Sequence, residues 1–197
     1  MAETIETRPF PPFLPKKATV MMMGTFPPEQ SKRAMEFHYP NFQNDMWRVF
    51  GLVFFDEKDH FRNGKEKAMD PEKIKAFLSE AGIASCPTVL KAIREKGNAS
   101  DAFLKVVEPV PLADVLEQIP DCKHIGTTGG KATEILLSLL PEKVKLPKTG
   151  ETIPFVFNGR ELTLTRLPST SRAYPLSLPK KAEAYKNFFK ACGLKTK

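Results

Sequence analysis

The chain has few cysteines, and they are scattered. Cys86, Cys122 and Cys192 are the three cysteines among 197 residues, and no two of them form a CxxC pair. This spacing argues against a disulfide framework and against a four-cysteine metal cluster. We therefore expect reduced, mostly buried thiols in an intracellular protein.

Long hydrophobic runs and a secretion signal are also lacking. No stretch is long and apolar enough to span a bilayer. The N-terminus carries two glutamates before its first arginine, Arg8, and has no apolar core of the kind that a signal peptide needs. We expect a protein of the cytoplasm or the nucleus that is not secreted and has no membrane partner.

Histidines are equally sparse. His38, His60 and His124 show no metal-ligand spacing, so we expect surface or hydrogen-bonded side chains rather than a metal site. The acidic stretch at 56–59 is typical of a solvated loop. Nothing in the pattern calls for a cofactor.

The positive charge is concentrated at one end of the chain. The formal net charge is +7, from 30 basic and 23 acidic side chains. Nine of the basic and two of the acidic residues lie in 160–197, so the first 159 residues are neutral overall. A basic segment of this kind is what a phosphate-backbone ligand requires. The alternative is a solvated helix face with a lysine-rich tail.

Apolar periodicity predicts an α/β fold. We expect strands at 18–23, 103–107 and 122–127, and a hairpin of 153–157 with 161–167 around Asn158-Gly159. We expect helices that begin at Met46 and at Pro71 after Asp70, and further helices at 87–96, 111–119, 130–140 and 179–192. This alternation favours a three-layer αβα domain over 18–197, with a central, mainly parallel sheet of four or five strands. Residues 1–17, with four prolines, predict an extended arm that lies on the surface without forming an element.

Two polar turns follow predicted strands. The first lies between Gly24 and Trp47, and the second is LPSTSR at 167–172. If the strands are neighbours, both turns open at the same sheet edge, where open α/β sheets bind ligands. The sequence therefore predicts a pocket with an aromatic ring and a carboxamide beside an arginine.

These turns resemble motifs of the uracil-DNA glycosylase superfamily. The turn GTFP at 24–27 is similar to the family's Gly-x-x-Pro turn. Residues 38–48 (HYPNFQNDMWR) resemble a stretch of the mismatch-specific thymine/uracil branch and the Asn-x-Phe-Trp of the hypoxanthine-DNA glycosylase branch. Residues 168–172 (PSTSR) with 181–185 (KAEAY), and residues 124–132 (HIGTTGGKA), resemble the back motif and the middle strand with its Gly-Lys-Ala turn. The motifs keep the family's order and span roughly residues 18–190.

The resemblance implies a monomeric, cofactor-free DNA glycosylase. Its partner would be DNA that contains a deaminated or mismatched base, and it would hydrolyse the N-glycosidic bond of hypoxanthine, xanthine or uracil. Such an enzyme takes the base out of the stack into a pocket. The implied catalytic residue is Asn44, the implied base pocket is Gly24, Thr25, Phe26, Pro27 and Tyr39, and the implied DNA contacts are Ser169, Thr170, Ser171, Arg172 and Lys131.

Each of these residues also has a structural interpretation. Tyr39 offers a flat face for a flipped base, and such stacking is worth roughly 1–3 kcal/mol, but it can equally cover the core. Asn44 can donate and accept at once at a base edge or to a water, or it can cap a helix. The serines can grip phosphates or form an ordinary turn. Arg172 can fill the space of the flipped base, pair with a phosphate, or lie free on the surface.

Three positions depart from the family's pattern. Phe26 stands where the uracil-specific branches have an Asn or Asp that activates water, Pro28 stands where glycine is usual, and Leu167 replaces a His or Asn that would assist the leaving group. These departures argue against strong uracil excision and favour a weak or purine-directed enzyme.

Two other functional classes stay open. One is a catalytically silent nucleic-acid-binding module of the same fold. The other is a nucleotide-processing enzyme that uses the Gly129-Gly130 turn. The stretch at 126–131 is one residue short of a phosphate-binding loop, and Ala132 stands where Ser or Thr would bind magnesium.

Overall fold

The computed structural model describes residues 3–95 and 101–197 and contains two sheets. The strands in chain order are β1 (Glu6–Thr7), β2 (Val20–Met23), β3 (Ile83–Ser85), β4 (Val89–Arg94), β5 (Leu104–Pro109), β6 (His124–Thr128), β7 (Thr152–Phe157) and β8 (Arg160–Leu167). The larger sheet has the order β3-β2-β6-β8-β7, in which only β7 is antiparallel to its neighbour. The smaller sheet is antiparallel and has the order β1-β4-β5.

Helices cover both faces of the larger sheet. They are α1 (Met46–Phe55), α2 (Pro71–Ala81), α3 (Leu112–Glu117), α4 (Gly130–Ser138) and α5 (Leu178–Ala191). Buried side chains of α1, α2 and α5 pack on one face, and those of α3 and α4 pack on the other. The predicted three-layer αβα architecture with a mainly parallel sheet of four or five strands is confirmed, and the sheet has five.

Strand β2 is an interior strand of the larger sheet and is buried on both faces. Val20 and Met22 belong to the core beneath α1, α2 and α5, whereas Met21 and Met23 belong to the core beneath α3 and α4. Successive side chains of a strand point to opposite faces, so an unbroken apolar run such as VMMM suits a strand with a helical layer on either side.

Local signals placed most elements within two residues of their observed bounds. Helix α2 begins as predicted, because the Asp70 carboxylate accepts hydrogen bonds from the backbone N–H groups of the first turn and Pro71 occupies the first helical position. It ends at Gly82 in the left-handed conformation. Asn158 and Gly159 have φ of 48° and 77°, as a tight two-residue hairpin turn between β7 and β8 requires.

The predicted helix at 87–96 is wrong. Residues 89–94 form strand β4, which pairs with β1 and β5, and the last residue of the predicted helix lies outside the described residues. The pairing with β5 shifts register on either side of Lys91, which breaks the alternation of a regular strand. Val89, Ala92 and Ile93 are consequently the buried positions, and this i, i+3, i+4 spacing is the one expected of a helix.

The N-terminal arm also differs from expectation. Residues 6 and 7 form strand β1 against β4, and Phe13 makes a backbone bridge to Ser85 at the end of β3. Phe10 between these contacts is buried. The arm therefore contributes an element and joins the two sheets, because its backbone groups find partners on strand edges that would otherwise be open.

Candidate functional site

A cavity of about 530 Å³ opens at the carboxyl ends of the parallel strands. Its walls include the loop after β2, the last residues of β3 and β6, and the loop after β8. Nine of the residues predicted for the site line it: Gly24, Thr25, Phe26, Pro27, Tyr39, Asn44, Ser169, Thr170 and Ser171. The two distant loops therefore meet over one cavity.

Gly24 lies where the loop after β2 contacts the side chain of Tyr39. A Cβ atom at this position would lie 2.6 Å from Tyr39 Oη and 3.3 Å from Thr128 Oγ1. Such distances are shorter than van der Waals contact, so the absence of a side chain at Gly24 is what allows Tyr39 to approach the strand end. The Gly24 carbonyl also accepts a hydrogen bond from the Thr88 N–H at 2.8 Å, which ties this loop to the second sheet.

Tyr39 is held in a defined orientation within the cavity. Its backbone has a φ of 53°, in the left-handed region that side chains seldom occupy. Tyr39 Oη lies 3.0 Å from Thr128 Oγ1 in a hydrogen bond, and its ring meets the edge of Trp47 at a centroid distance of 6.0 Å. Trp47 is fixed in turn, because its Nε1–H donates to the His38 carbonyl at 3.0 Å. The strained backbone and these contacts pre-orient the aromatic ring.

Asn44 lines the cavity and caps helix α1 at the same time. Its Oδ1 accepts a hydrogen bond from the Met46 N–H at 2.9 Å, and the residue is half-buried. Within residues 3–95 and 101–197, the Nδ2 amide of Asn44 forms no hydrogen bond. The two interpretations made from the sequence are therefore compatible, since the oxygen holds the helix end and the amide remains a donor for a ligand.

The second loop is a pair of side-chain turns anchored from below. The Ser171 N–H donates to Ser169 Oγ at 3.1 Å, and the Ala173 N–H donates to Ser171 Oγ at 3.3 Å. The buried Tyr185 hydroxyl of α5 donates to the Pro168 carbonyl at 2.7 Å. The turn that the sequence predicted is thus present, and both serines line the cavity.

Asp45 joins the two loops, a role that the sequence did not predict. Its N–H donates to the Thr170 carbonyl at 2.9 Å, and its carboxylate oxygens lie 3.0 Å from Lys181 Nζ and 3.2 Å from Arg172 Nη2. Lys181 Nζ also donates to the Ser171 carbonyl at 2.9 Å. Asp45 and Lys181 are both buried, so this ion pair is shielded from solvent.

A sequence signal for this pair does exist. Lys181 lies on the same face of α5 as Tyr185 and Phe188, at positions i, i+4 and i+7, and both aromatic residues are buried. A lysine on an apolar helix face needs a buried carboxylate partner. The partner lies 136 residues away, and local spacing does not identify it.

Arg172 and Lys131 lie outside the cavity. Arg172 is 57% exposed and pairs with Asp45, and it does not line the cavity. Lys131 is half-buried in the first turn of α4 and does not line the cavity. Their DNA contacts stay predictions. The Gly129-Gly130 turn does not line the cavity either, although a Cβ at Gly129 would come within 3.5 Å of Ser169.

His38 and Ser85 form a hydrogen-bonded pair in the cavity wall that the sequence did not predict. His38 Nε2 donates to the Pro11 carbonyl at 2.9 Å, because a carbonyl can only accept. Its Nδ1 therefore accepts from the Ser85 hydroxyl at 2.7 Å. Burial lowers the pKa of His38 to about 4, so the ring is neutral at physiological pH and both of its nitrogens are engaged. This pair fixes the N-terminal arm against β3 and is not a free acid or base.

Phe26 and Leu167 are apolar residues at positions where the family's pattern has polar ones, so neither can act as an acid or a base. Phe26 lines it and lies 5.4 Å from the Arg94 guanidinium, with its ring packed on the cluster around β4. Leu167 is buried in the core beneath α1 and α5. Among the residues that the structure describes, no carboxylate lines the cavity. The donors that line the cavity are amide, hydroxyl and backbone N–H groups and the ammonium group of Lys32.

The cysteines are free thiols. Burial raises the pKa of Cys86 and Cys122 to about 11 and that of Cys192 to about 12, so all three are protonated at neutral pH. Over the described part of the chain, no group of three or more His, Cys, Asp or Glu side chains is arranged to hold a metal ion. No helix within those same ranges is long and apolar enough to cross a membrane.

Comparison with known proteins identifies the fold. No protein-family model and no curated protein sequence matches the chain. A solution NMR structure from Methanosarcina acetivorans, described as a "putative Uracil DNA glycosylase", superposes with a TM-score of 0.62 at 20% sequence identity. The match covers 96% of this chain and 99% of that one. The chain therefore shares the fold of this structure, as the resemblance implied.

Proposed function

We propose that the protein is a DNA glycosylase that hydrolyses the N-glycosidic bond of a deaminated or mismatched base, with hypoxanthine, xanthine and uracil as the candidate bases. The observation that carries this proposal is the convergence of Tyr39, Asn44 and Ser169 on one cavity at the strand ends of a uracil-DNA-glycosylase-like fold. A cavity of about 530 Å³ lies within the usual range for small-ligand sites and accommodates a single nucleobase.

In this proposal the base leaves with negative charge while the sugar acquires oxocarbenium character. Donors placed at the base carbonyls lower the barrier because they meet charge that develops in the transition state. The Nδ2 amide of Asn44 is the donor, and its orientation is fixed because Oδ1 is held by the Met46 N–H. Tyr39 supplies the aromatic face, and Phe26 closes the pocket where the uracil-specific branches carry a water-activating residue.

The cavity chemistry favours a weak or purine-directed enzyme. No carboxylate among the described residues lines the cavity, and His38 has both nitrogens engaged. Water attack therefore has little general-base assistance, and most of the rate enhancement must come from the leaving group. A purine such as hypoxanthine leaves more readily than uracil when assistance to the water is small.

The test is excision from a panel of duplexes. Duplexes that contain hypoxanthine, xanthine, uracil or mismatched thymine are incubated with the protein, and alkali-labile sites are counted under single-turnover conditions. We expect cleavage of at least one duplex. In Asn44→Asp the cap acceptor is kept but the amide donor is lost, and we expect a rate about 10²–10³-fold lower, the usual cost of one transition-state donor.

Asn187→Asp is the matched control. It makes the same change of side chain at an exposed position of α5 that does not line the cavity. We expect this variant to keep the wild-type rate within a few fold. Equal rates for Asn44→Asp and the wild type would remove the proposed role of Asn44.

A catalytically silent DNA-binding module is the second candidate. The observation that favours it is the replacement of acid/base positions by Phe26 and by the buried Leu167. This candidate predicts binding to every duplex in the panel, weakened steeply by salt, with no base released from any of them.

A further inference from the structure

A second groove lies on the other side of the two loops from the cavity. It has a volume of about 370 Å³ and is bordered by the loop after α1, the loop after β8 and the start of α5. We call it the basic groove, and its lining residues are Asp45, Arg48, Lys58, Arg172, Leu176, Ser177, Leu178 and Lys181.

The basic groove carries an excess of positive charge. Four cations line it, Arg48, Lys58, Arg172 and Lys181, against the single carboxylate of Asp45. Two further charged groups act on Arg48 from the rim, and they are of opposite sign: Asp59 and Arg62. Three positive charges are thus left without a counterion from the groove, and such a surface attracts an anion.

The guanidinium groups converge on the same carboxylate oxygen. Arg172 Nη2 lies 3.2 Å and Arg48 Nη1 lies 3.9 Å from Asp45 Oδ1. Arg48 is buried and also donates to the carbonyls of Phe42 and Asn44, so it is a fixed part of the wall. Arg172 is largely exposed, so most of its donors are open to a ligand, and a planar guanidinium suits phosphate oxygens.

Lys58 reaches the groove because its loop folds back over α1. The Glu57 N–H donates to the Gly51 carbonyl at 3.1 Å, and a Cβ at Gly51 would lie 2.2 Å from the Glu57 carbonyl oxygen. The glycine in the middle of α1 therefore permits the close approach of the loop. Lys58 itself is exposed and is free to meet a ligand from solvent.

Adjacent residues connect the groove to the cavity. Asn44 and Ser171 line the cavity, whereas their neighbours Asp45 and Arg172 line the groove. One strand of a duplex carries a phosphate for about every 3.4 Å of helix axis, so a strand with one nucleotide in the cavity passes its next phosphates over this wall. We propose that the basic groove binds a backbone phosphate of the DNA strand whose nucleotide enters the cavity, with Lys58 and Arg172 as its ligands.

This inference rests on the proposed function for the identity of the strand, but its test does not need catalysis. Binding of a fluorescent 20-base-pair duplex, with and without hypoxanthine, is followed by anisotropy between 50 and 200 mM KCl. Lys58→Gln removes one phosphate contact, so we expect weaker binding to both duplexes and a salt-dependence slope smaller by about 1. Lys58→Glu adds repulsion, and we expect it to weaken binding further.

Lys143→Gln is the matched control, since Lys143 is exposed and precedes Val144, which packs on the opposite face of the larger sheet. We expect its affinity and salt slope to equal those of the wild type. Identical salt-dependence slopes for the variants at Lys58 and at Lys143 would overturn the proposal that the basic groove binds a phosphate, even if a base is excised. A reduced slope for Lys58→Gln without release of any base would support phosphate binding in the basic groove and would reject the proposed glycosylase activity.

Discussion

Asp45 is the residue on which the joining of the two loops depends. Its carboxylate is buried between Lys181 and Arg172, and its N–H holds the Thr170 carbonyl. A buried ion pair gains little net stability over apolar residues, but removal of one partner leaves the other charge without compensation. The geometry of the cavity wall and the stability of the fold are therefore coupled at this side chain.

We predict that Asp45→Asn lowers the free energy of unfolding by about 3–5 kcal/mol, because Lys181 is left buried without its counterion. Urea unfolding measures this loss. Asp59→Asn is the control, as Asp59 is an exposed acid near the same groove, and we expect a change within about 0.5 kcal/mol. Equal stabilities of the two variants would show that the pair is not structurally important.

A second prediction for a single residue concerns His38 and the dependence of the free energy of unfolding on pH. Its pKa falls from 6.5 to about 4 on folding because the ring is buried. Below pH 6.5 the unfolded chain takes up a proton that the folded chain does not bind until pH is near 4. The free energy of unfolding therefore falls as pH falls through this window, by roughly 3 kcal/mol in total from this group.

The variant His38→Gln isolates this contribution, because an amide can still donate to the Pro11 carbonyl and has no titration in this range. Unfolding is measured in urea at pH 7, 6, 5 and 4. We expect the variant to lose less stability than the wild type over these steps. Parallel pH profiles for the two proteins would mean that His38 titrates alike in the folded and unfolded states.

At the scale of elements, local sequence patterns predicted α2 and the β7–β8 hairpin correctly but predicted β4 as a helix. Asp70-Pro71 and Asn158-Gly159 have strong conformational preferences of their own, for a helix start and for a tight turn with positive φ, so α2 and the β7–β8 hairpin could be predicted. Strand β4 could not, because its irregular pairing with β5 gives Val89 and its neighbours a helical spacing of buried positions. Whether such a short apolar run pairs with other strands is decided by tertiary contacts.

The middle of helix α1 allows a test of one such tertiary contact. Alanine normally stabilises a helix interior relative to glycine by about 1 kcal/mol. At Gly51 the added Cβ would lie 2.2 Å from the Glu57 carbonyl oxygen, and backbone cannot move aside as a side chain can. We therefore predict that Gly51→Ala lowers the thermal unfolding midpoint, by an amount equivalent to about 1–3 kcal/mol.

Ser79→Ala, at an exposed position in the last turn of α2, is the comparison, and there we expect no loss of stability. A rise in the midpoint for Gly51→Ala would show that the loop after α1 does not pack on the helix as described. The placement of Lys58 in the basic groove would then lose its structural basis.

At the scale of the whole molecule, the order of the strands explains which parts of the site were predictable. Tyr39, Asn44 and Ser169 were predicted to meet because parallel strands bring their following loops to one edge. The contacts between Asp45 and Lys181, and between His38 and Ser85, link residues 136 and 47 positions apart. Such pairs depend on the packing of α5 and of the N-terminal arm, which no local motif specifies.

The distribution of charge along the chain is also a property of the whole molecule. The basic excess of residues 160–197 reaches the site through Arg172 and Lys181, whereas Arg48 and Lys58 come from the part of the chain that is neutral overall. The basic segment of the sequence thus supplies half of the cations in the basic groove, and the other half come from elsewhere in the chain.

The most direct measurement is a crystal structure of the protein bound to a duplex that contains 2′-fluoro-deoxyinosine, a nucleotide whose glycosidic bond resists hydrolysis. We predict that the hypoxanthine base leaves the helix and lies in the cavity, with its face on Tyr39 and its edge within hydrogen-bond distance of Asn44 Nδ2. A base that stays stacked in the duplex, or DNA bound on another surface, would contradict the account.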